Sequence, residues 1–247
     1  MVKLLVKAPA MCCVQQGQKN DMTSYPIPTG SAIIGMVNSA YGKPEVNWAV
    51  RFIKVLNKID RVRMKFNGVN GANHEHSPVC GDYIANCAYI IGVEALVPDY
   101  PDNAKARATI DLRKKHEEIL LRRIMRCEAG SRRGFFYLGK HSYHCTIEPA
   151  PENEPKSYYE GKRPMVFRSI PYVQSFTPVP EDELALMKVG KCHWNGGRKV
   201  VKSPHDGRWY YSNFHYTNLV MVDGIINFDP RLYQRHQTNC VHHSQNR

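Results

Sequence analysis

Apolar positions along the chain switch between a period of two and a period near 3.6, and the switches predict its elements. Val2–Val6, rich in Val and Leu, predicts an opening strand. A polar stretch with Gln15, Gln16, Gly17, Gln18 and Asn20 predicts a loop. Thr29-Gly30-Ser31 then offers a helix start, and Ile33, Met36, Val37 and Ala40 recur on one helical face up to Tyr41. Gly42 can stop that helix and Pro44 keeps it from resuming. Val50–Val55 and Val62–Phe66 predict strands, and Asn67-Gly68-Val69-Asn70-Gly71 predicts a turn. Ile84–Val97 is long and β-branched enough for a full strand. A second helix is expected over Leu112–Cys127, with Asp111 as N-cap and Gly130 as its stop. Phe135–Leu138 and Cys145–Ile147 predict further strands.

This order suits an α+β fold with helices on one face of an antiparallel sheet, of which the ferredoxin-like arrangement is the common form. Pro149–Pro155 is the best candidate linker, dividing a domain over 1–150 from a β-rich part over 151–247. In that second part Met165–Phe167 and Asn218–Val222 look strand-like, Glu181–Met187 offers one weak helix, and the polar tail after Tyr233 is expected to fray.

Charge changes the picture. Lys and Arg number 34 against 22 Asp and Glu, giving a net charge of +12 and a pI near 9.3. Such an excess favours a polyanionic partner. Between Lys105 and Lys140, eleven cations face four carboxylates, a net of +7. On the second helix, Lys115, Arg122 and Arg126 fall within about 40° of one another. His116 and Arg123 lie beside that stripe, and Leu120, Leu121, Ile124 and Met125 lie opposite, where they would pack on the sheet. With Arg113, Lys114, Arg132 and Arg133, these cations form a candidate phosphate-binding surface. The short, lysine-interrupted start is not a signal peptide, and no stretch is long and apolar enough to span a membrane, so a cytoplasmic protein with reduced thiols is expected.

Metal chemistry finds little support. There is no CxxC pair, and His74-Glu75-His76, His141 with His144-Cys145, Cys192-His193 and Cys240 with His242-His243 lack zinc-ligand spacing. His193-Trp194-Asn195 holds only fragments of a metal-dependent nuclease motif. Neither a P-loop nor a GxSxG elbow is present. No metal and no cofactor is expected. RNA can be cut without either: the ribose 2′-OH attacks its own phosphate, a base takes the proton, an acid protonates the leaving oxygen, and a cation stabilises the developing charge. Histidine suits the proton transfers and lysine the charge, and Lys115-His116 places the two side by side.

Tyr25-Pro26-Ile27-Pro28-Thr29-Gly30-Ser31-Ala32-Ile33-Ile34-Gly35, Ser39-Ala40-Tyr41-Gly42-Lys43-Pro44 and Phe52–Ile59 resemble the N-terminal signature of the CRISPR-associated Cas-five family, type I-C subtype. Lys115-His116, Arg122-Arg123, Gly130 and Tyr137-Leu138-Gly139 continue the resemblance in order. It covers most of residues 23–140 and fades beyond 150, where Val222–Ile226 is the best remaining hint.

The resemblance implies a ferredoxin-like N-terminal domain with a smaller β-rich C-terminal part. It implies a metal-independent endoribonuclease that cuts precursor CRISPR RNA at the base of the repeat hairpin, leaving a 2′,3′-cyclic phosphate and a 5′-OH. The protein would stay on the 5′ handle of the CRISPR RNA, beside the backbone and large subunits of a Cascade complex and its target DNA. The family's tyrosine, lysine and histidine look like Tyr41, Lys115 and His116, in roles of orientation, phosphate stabilisation and acid/base work. The chain departs from the pattern at Gly42, where the family has Trp, and at Leu138–Ser142, where the family has Leu-Gly-Cys-Arg-Glu. Relatives in other type I systems only cap the handle, so a non-catalytic subunit is the alternative. A metal-dependent DNA nuclease using the C-terminal histidines is the third reading.

Overall fold

A computed structural model describes residues 1–15, 22–42, 46–69, 76–97, 103–128, 136–139, 143–181, 183, 193–195, 198–202 and 208–234. Within these, Val2–Met11 (β1) alternates Leu4, Val6 and Ala8 inward against Lys3 and Lys7 outward, which suits a sheet with two different faces. Helix α1 spans Gly30–Tyr41. The Thr29 hydroxyl caps it by accepting from the Ala32 amide at 3.2 Å, and Gly42 ends it in the left-handed region at φ 64°. Asn47–Val55 (β3) and Asp60–Val69 (β4) follow a short Met22–Thr23 strand (β2), and both pair with the 21-residue His76–Leu96 (β5). Helix α2 runs over Asn103–Glu128. Phe136–Tyr137 (β6) and His144–Pro149 (β7) close the first part. Met165–Pro178 (β8), His193–Asn195 (β9), Arg198–Lys202 (β10), Trp209–Val222 (β11) and Ile225–Asn227 (β12) precede a single turn, Arg231–Gln234 (α3).

The result is a mixed fold: a mostly antiparallel sheet with few helices. The sheet runs β6-β7-β1-β5-β3-β12-β11-β10-β9, with β2 and β4 on β5 and β8 on β11. Only β2 pairs in parallel among its named strands. Taken in chain order, β1-α1-β3-β5-α2-β7 places its four strands in the spatial order β7-β1-β5-β3. Both helices cover one face of these strands, where Ile33, Met36, Val37, Leu120 and Ile124 pack with Leu4, Val6, Tyr89 and Ile91. Phe167, Ile170, Tyr172 and Ile226, from beyond residue 150, join the same apolar cluster. Gly30 lies against the backbone of β8: a Cβ added there would sit 2.6 Å from the Tyr172 carbonyl oxygen.

Several expectations need correction. Asp111 is not a cap, because α2 begins eight residues earlier, at Asn103. Of the expected turn, Asn67, Gly68 and Val69 continue β4, paired to Pro78, Ser77 and His76, while Asn70 and Gly71 lie outside the described residues. Met125 does not pack on the sheet but stands 48% exposed, while its helix neighbour Ile124 is fully buried. Pro149–Pro155 does not hang free as a linker, and the residues after it, to 163, are tied down as well. The Ala150 amide donates to the Lys3 carbonyl, Glu154 bridges Lys3 (2.6 Å) and Lys54 (3.1 Å), the Tyr158 amide donates to Leu56, and the Gly161 amide donates to Asp223. This strap covers part of the sheet face away from the helices, with Ala150 against Leu5, Leu56, Ala88 and Ile90. Arg132, Arg133, Gly130, most of Glu181–Met187 and the tail after Gln234 lie outside the described residues.

Candidate functional site

Tyr41 is the last residue of α1, and the helix buries it completely. Its ring meets Trp48 of β3 edge-on, with centroids 5.4 Å apart. Its hydroxyl reaches across to α2 and shares a 2.7 Å hydrogen bond with Nδ1 of His116. The two residues are 75 positions apart in sequence. Directly after Tyr41, Gly42 ends α1 in the left-handed region, a conformation glycine takes without a Cβ penalty.

Arg123 completes a second contact: its guanidinium carbon lies 5.6 Å from the centre of the Tyr41 ring, a cation–π distance. The His116 ring lies 6.0 Å from the same centre. The structure thus gathers Tyr41, His116 and Arg123 around one buried ring. Lys115, the residue before His116, lies about 100° round the helix from it and is exposed. Lys114, Arg122 and Arg126 are exposed as well. The Arg122 Nε donates to the Glu118 carbonyl at 3.4 Å, a long contact. Arg113 departs from this solvent-facing set. It is half-buried and ion-paired to Glu94, which also binds Arg51. Glu117, buried next to His116, takes the Met1 amino group at 2.7 Å.

The sequence pattern did not single out Trp48 or the Glu94 pairings. Nor did it flag Arg61, Arg63 and Lys65, which alternate along β4 as an exposed basic row. Their i, i+2, i+4 spacing was the available signal. Trp48 and Glu94 had none, since tertiary packing alone brings them to Tyr41 and Arg113. Ser175 and His215 also meet at 2.8 Å, between β8 and β11. Among the described residues no three His, Cys, Asp or Glu side chains converge as a metal set. His74, Glu75, His141, Cys192, Cys240, His242 and His243 lie outside them. Cys12, Cys13, Cys80, Cys87 and Cys145 are free thiols. Burial pushes Cys13 and Cys145 up to about 12, which leaves them protonated and poor nucleophiles. No helix among the described residues is long and apolar enough to cross a membrane.

A two-helix face on an antiparallel sheet, with a buried tyrosine of one helix bonded to a histidine of the other, basic helix, is the class of protein this architecture defines. The model of the family described as "CRISPR-associated protein (Cas_Cas5)" matches residues 1–164, and the chain belongs to that family. Among solved structures, a functionally uncharacterized protein from Streptococcus mutans is similar in fold, with a TM-score of 0.53, 18% identity and coverage of 94% of this chain and 93% of that one. A structure described as a CRISPR-associated protein gives a TM-score of 0.51 at 19% identity, covering 94% of this chain and 92% of that one. No curated protein matches the sequence.

Proposed function

We propose that this protein is a metal-independent endoribonuclease of the type I-C branch. It cuts precursor CRISPR RNA at the base of the repeat hairpin and stays on the 5′ handle as a Cascade subunit, beside the backbone and large subunits. On this reading β1-α1-β3-β5-α2-β7 is a ferredoxin-like unit, since its strand order is that of a split βαβ repeat. One observation carries the reading: the 2.7 Å hydrogen bond between Tyr41 and His116 at the exposed basic row of α2. It puts two residues that lie 75 positions apart, and that the resemblance names together, into one group with acid/base capacity.

The step is a transesterification. The 2′-oxygen attacks phosphorus and its proton passes to a base. The bond to the 5′-oxygen breaks, and that oxygen takes a proton. The products are a 2′,3′-cyclic phosphate and a 5′-OH. His116 serves the proton transfers, and because Nδ1 is engaged by Tyr41, exchange with RNA falls to Nε2. Lys115 stabilises the phosphate, and Lys114, Arg122 and Arg126 hold flanking phosphates. Complete burial of Tyr41 favours a second reading, in which the pair only fixes α2 and the protein caps the handle without cutting.

Incubation with the protein's own repeat RNA in EDTA separates the two. The nuclease cuts, and His116→Ala loses about 10²–10⁴-fold in rate, the usual contribution of acid/base catalysis, while still binding RNA. Tight handle binding without any cut supports the cap instead.

A further inference from the structure

The cations of α2 are not equivalent. Arg113 is neutralised by Glu94. Lys114, Lys115, Arg122 and Arg126 stand in solvent, where water screens them. Arg123 alone among these is half-buried without a carboxylate partner among the described residues. A guanidinium withdrawn from water normally gains an anion to offset its lost hydration. Here the ring of Tyr41 supplies only the weaker attraction of an aromatic face.

Its direction fits a purpose. Arg123 follows His116 by seven residues, which places it about 20° round the helix and about 10 Å further along. Long side chains on a helix lean toward its N-terminus, so that of Arg123 runs back toward His116. Both groups arrive within about 6 Å of the Tyr41 ring centre. A planar guanidinium also offers paired donors that match two phosphate oxygens.

We infer that Arg123 is the cation that binds the reacting phosphate beside His116, a preset anion seat inside the RNA surface rather than one more contact along it. The inference rests on the nuclease reading above. Lys115 then approaches the same phosphate from the solvent side. Arg123 binds non-bridging oxygens, so it acts on the charge that develops in the transition state.

The test uses the full-length protein and single-turnover cleavage of its own repeat RNA at saturating protein. Arg123→Gln is expected to lower the saturated rate about 100-fold, the scale of losing one preorganised donor. Arg123→Lys recovers part of that loss, and Arg168→Gln, at an exposed position of β8, cuts like the parent. Thermal midpoints report whether each variant folds, and Arg123→Lys carries the test if Arg123→Gln does not. A second arm titrates inorganic phosphate into the RNA-free protein while following the His116 ring by NMR. The resonance should move in the parent and stay still in Arg123→Gln. Parent-like cutting by Arg123→Gln at saturation, or the same phosphate shift in both proteins, overturns the inference. If the parent cuts no RNA, the nuclease reading falls, and the phosphate arm still decides whether Arg123 is an anion seat.

Discussion

Tyr41→Phe removes a single oxygen and keeps the ring, so the packing on Trp48 and under Arg123 survives. What is lost is the 2.7 Å hydrogen bond to His116. A bond of this kind contributes about 0.5–1.5 kcal/mol net to stability. If the same energy is what holds the imidazole in its working orientation, the rate falls by about 2- to 13-fold, since each 1.36 kcal/mol is a factor of ten. Direct proton transfer by the tyrosine would instead cost about 10²–10⁴-fold. Tyr41 is 0% exposed, which argues for the smaller effect: its hydroxyl acts through His116 and not on the ribose. The assay is single-turnover cleavage of repeat RNA at saturating protein, with binding measured separately and expected to be unchanged. A rate equal to the parent's would show that the hydrogen bond does not position His116. A loss of a hundredfold or more, with the fold intact, would show that Tyr41 reaches substrate and that the positioning argument is wrong.

Glu94→Ala leaves the half-buried Arg51 and Arg113 facing each other without their shared carboxylate. Urea unfolding should show a loss of about 3–5 kcal/mol, as for one partner removed from a buried ion pair. The Glu154 carboxyl is held below the ordinary carboxylate range, first by its hydrogen bond to Lys3 and then by Lys54. A lowered folded value means that the strap's contribution is complete above the unfolded value of about 4.3 and is lost as pH falls through the lower folded one. Thermal midpoints followed from neutral pH down into the acid range should therefore drop less steeply for Glu154→Gln than for the parent.

Local signals were legible where local physics decides. Thr29 and Gly42 bound α1 because a hydroxyl cap and a left-handed glycine act within a few residues. Leu120 and Ile124 face the core because helical periodicity puts them there. The start of α2 was not legible. Its first turns carry no apolar stripe, and Ile110 and Leu112 remain exposed, so periodicity had nothing to report. Asn67-Gly68 has turn composition, yet ladder pairing with β5 overrides it. The strap over 150–163 has linker composition, but Lys3 and Lys54, distant in sequence, hold its glutamate to the sheet.

The same limit shaped the site. Counting charge located a basic helix but could not tell which of its cations stand in solvent, because a sum of charges does not see partners. Glu94 withdraws Arg113 into the fold, and Tyr41 draws Arg123 inward. What remains outside is the row of Lys115, Arg122 and Arg126. Such a row can grip any polyanion, because phosphate contacts position a strand without identifying a point on it. One phosphate can be singled out only where charge and a proton-transfer group converge. On α2 that convergence is at His116, which α1 fixes from behind through Tyr41 and which Arg123 approaches from further along the helix. On the proposed nuclease reading, the chemistry therefore depends on how α1 seats against α2. That seating is set in part from beyond residue 150, by the backbone of β8 against Gly30 at the start of α1.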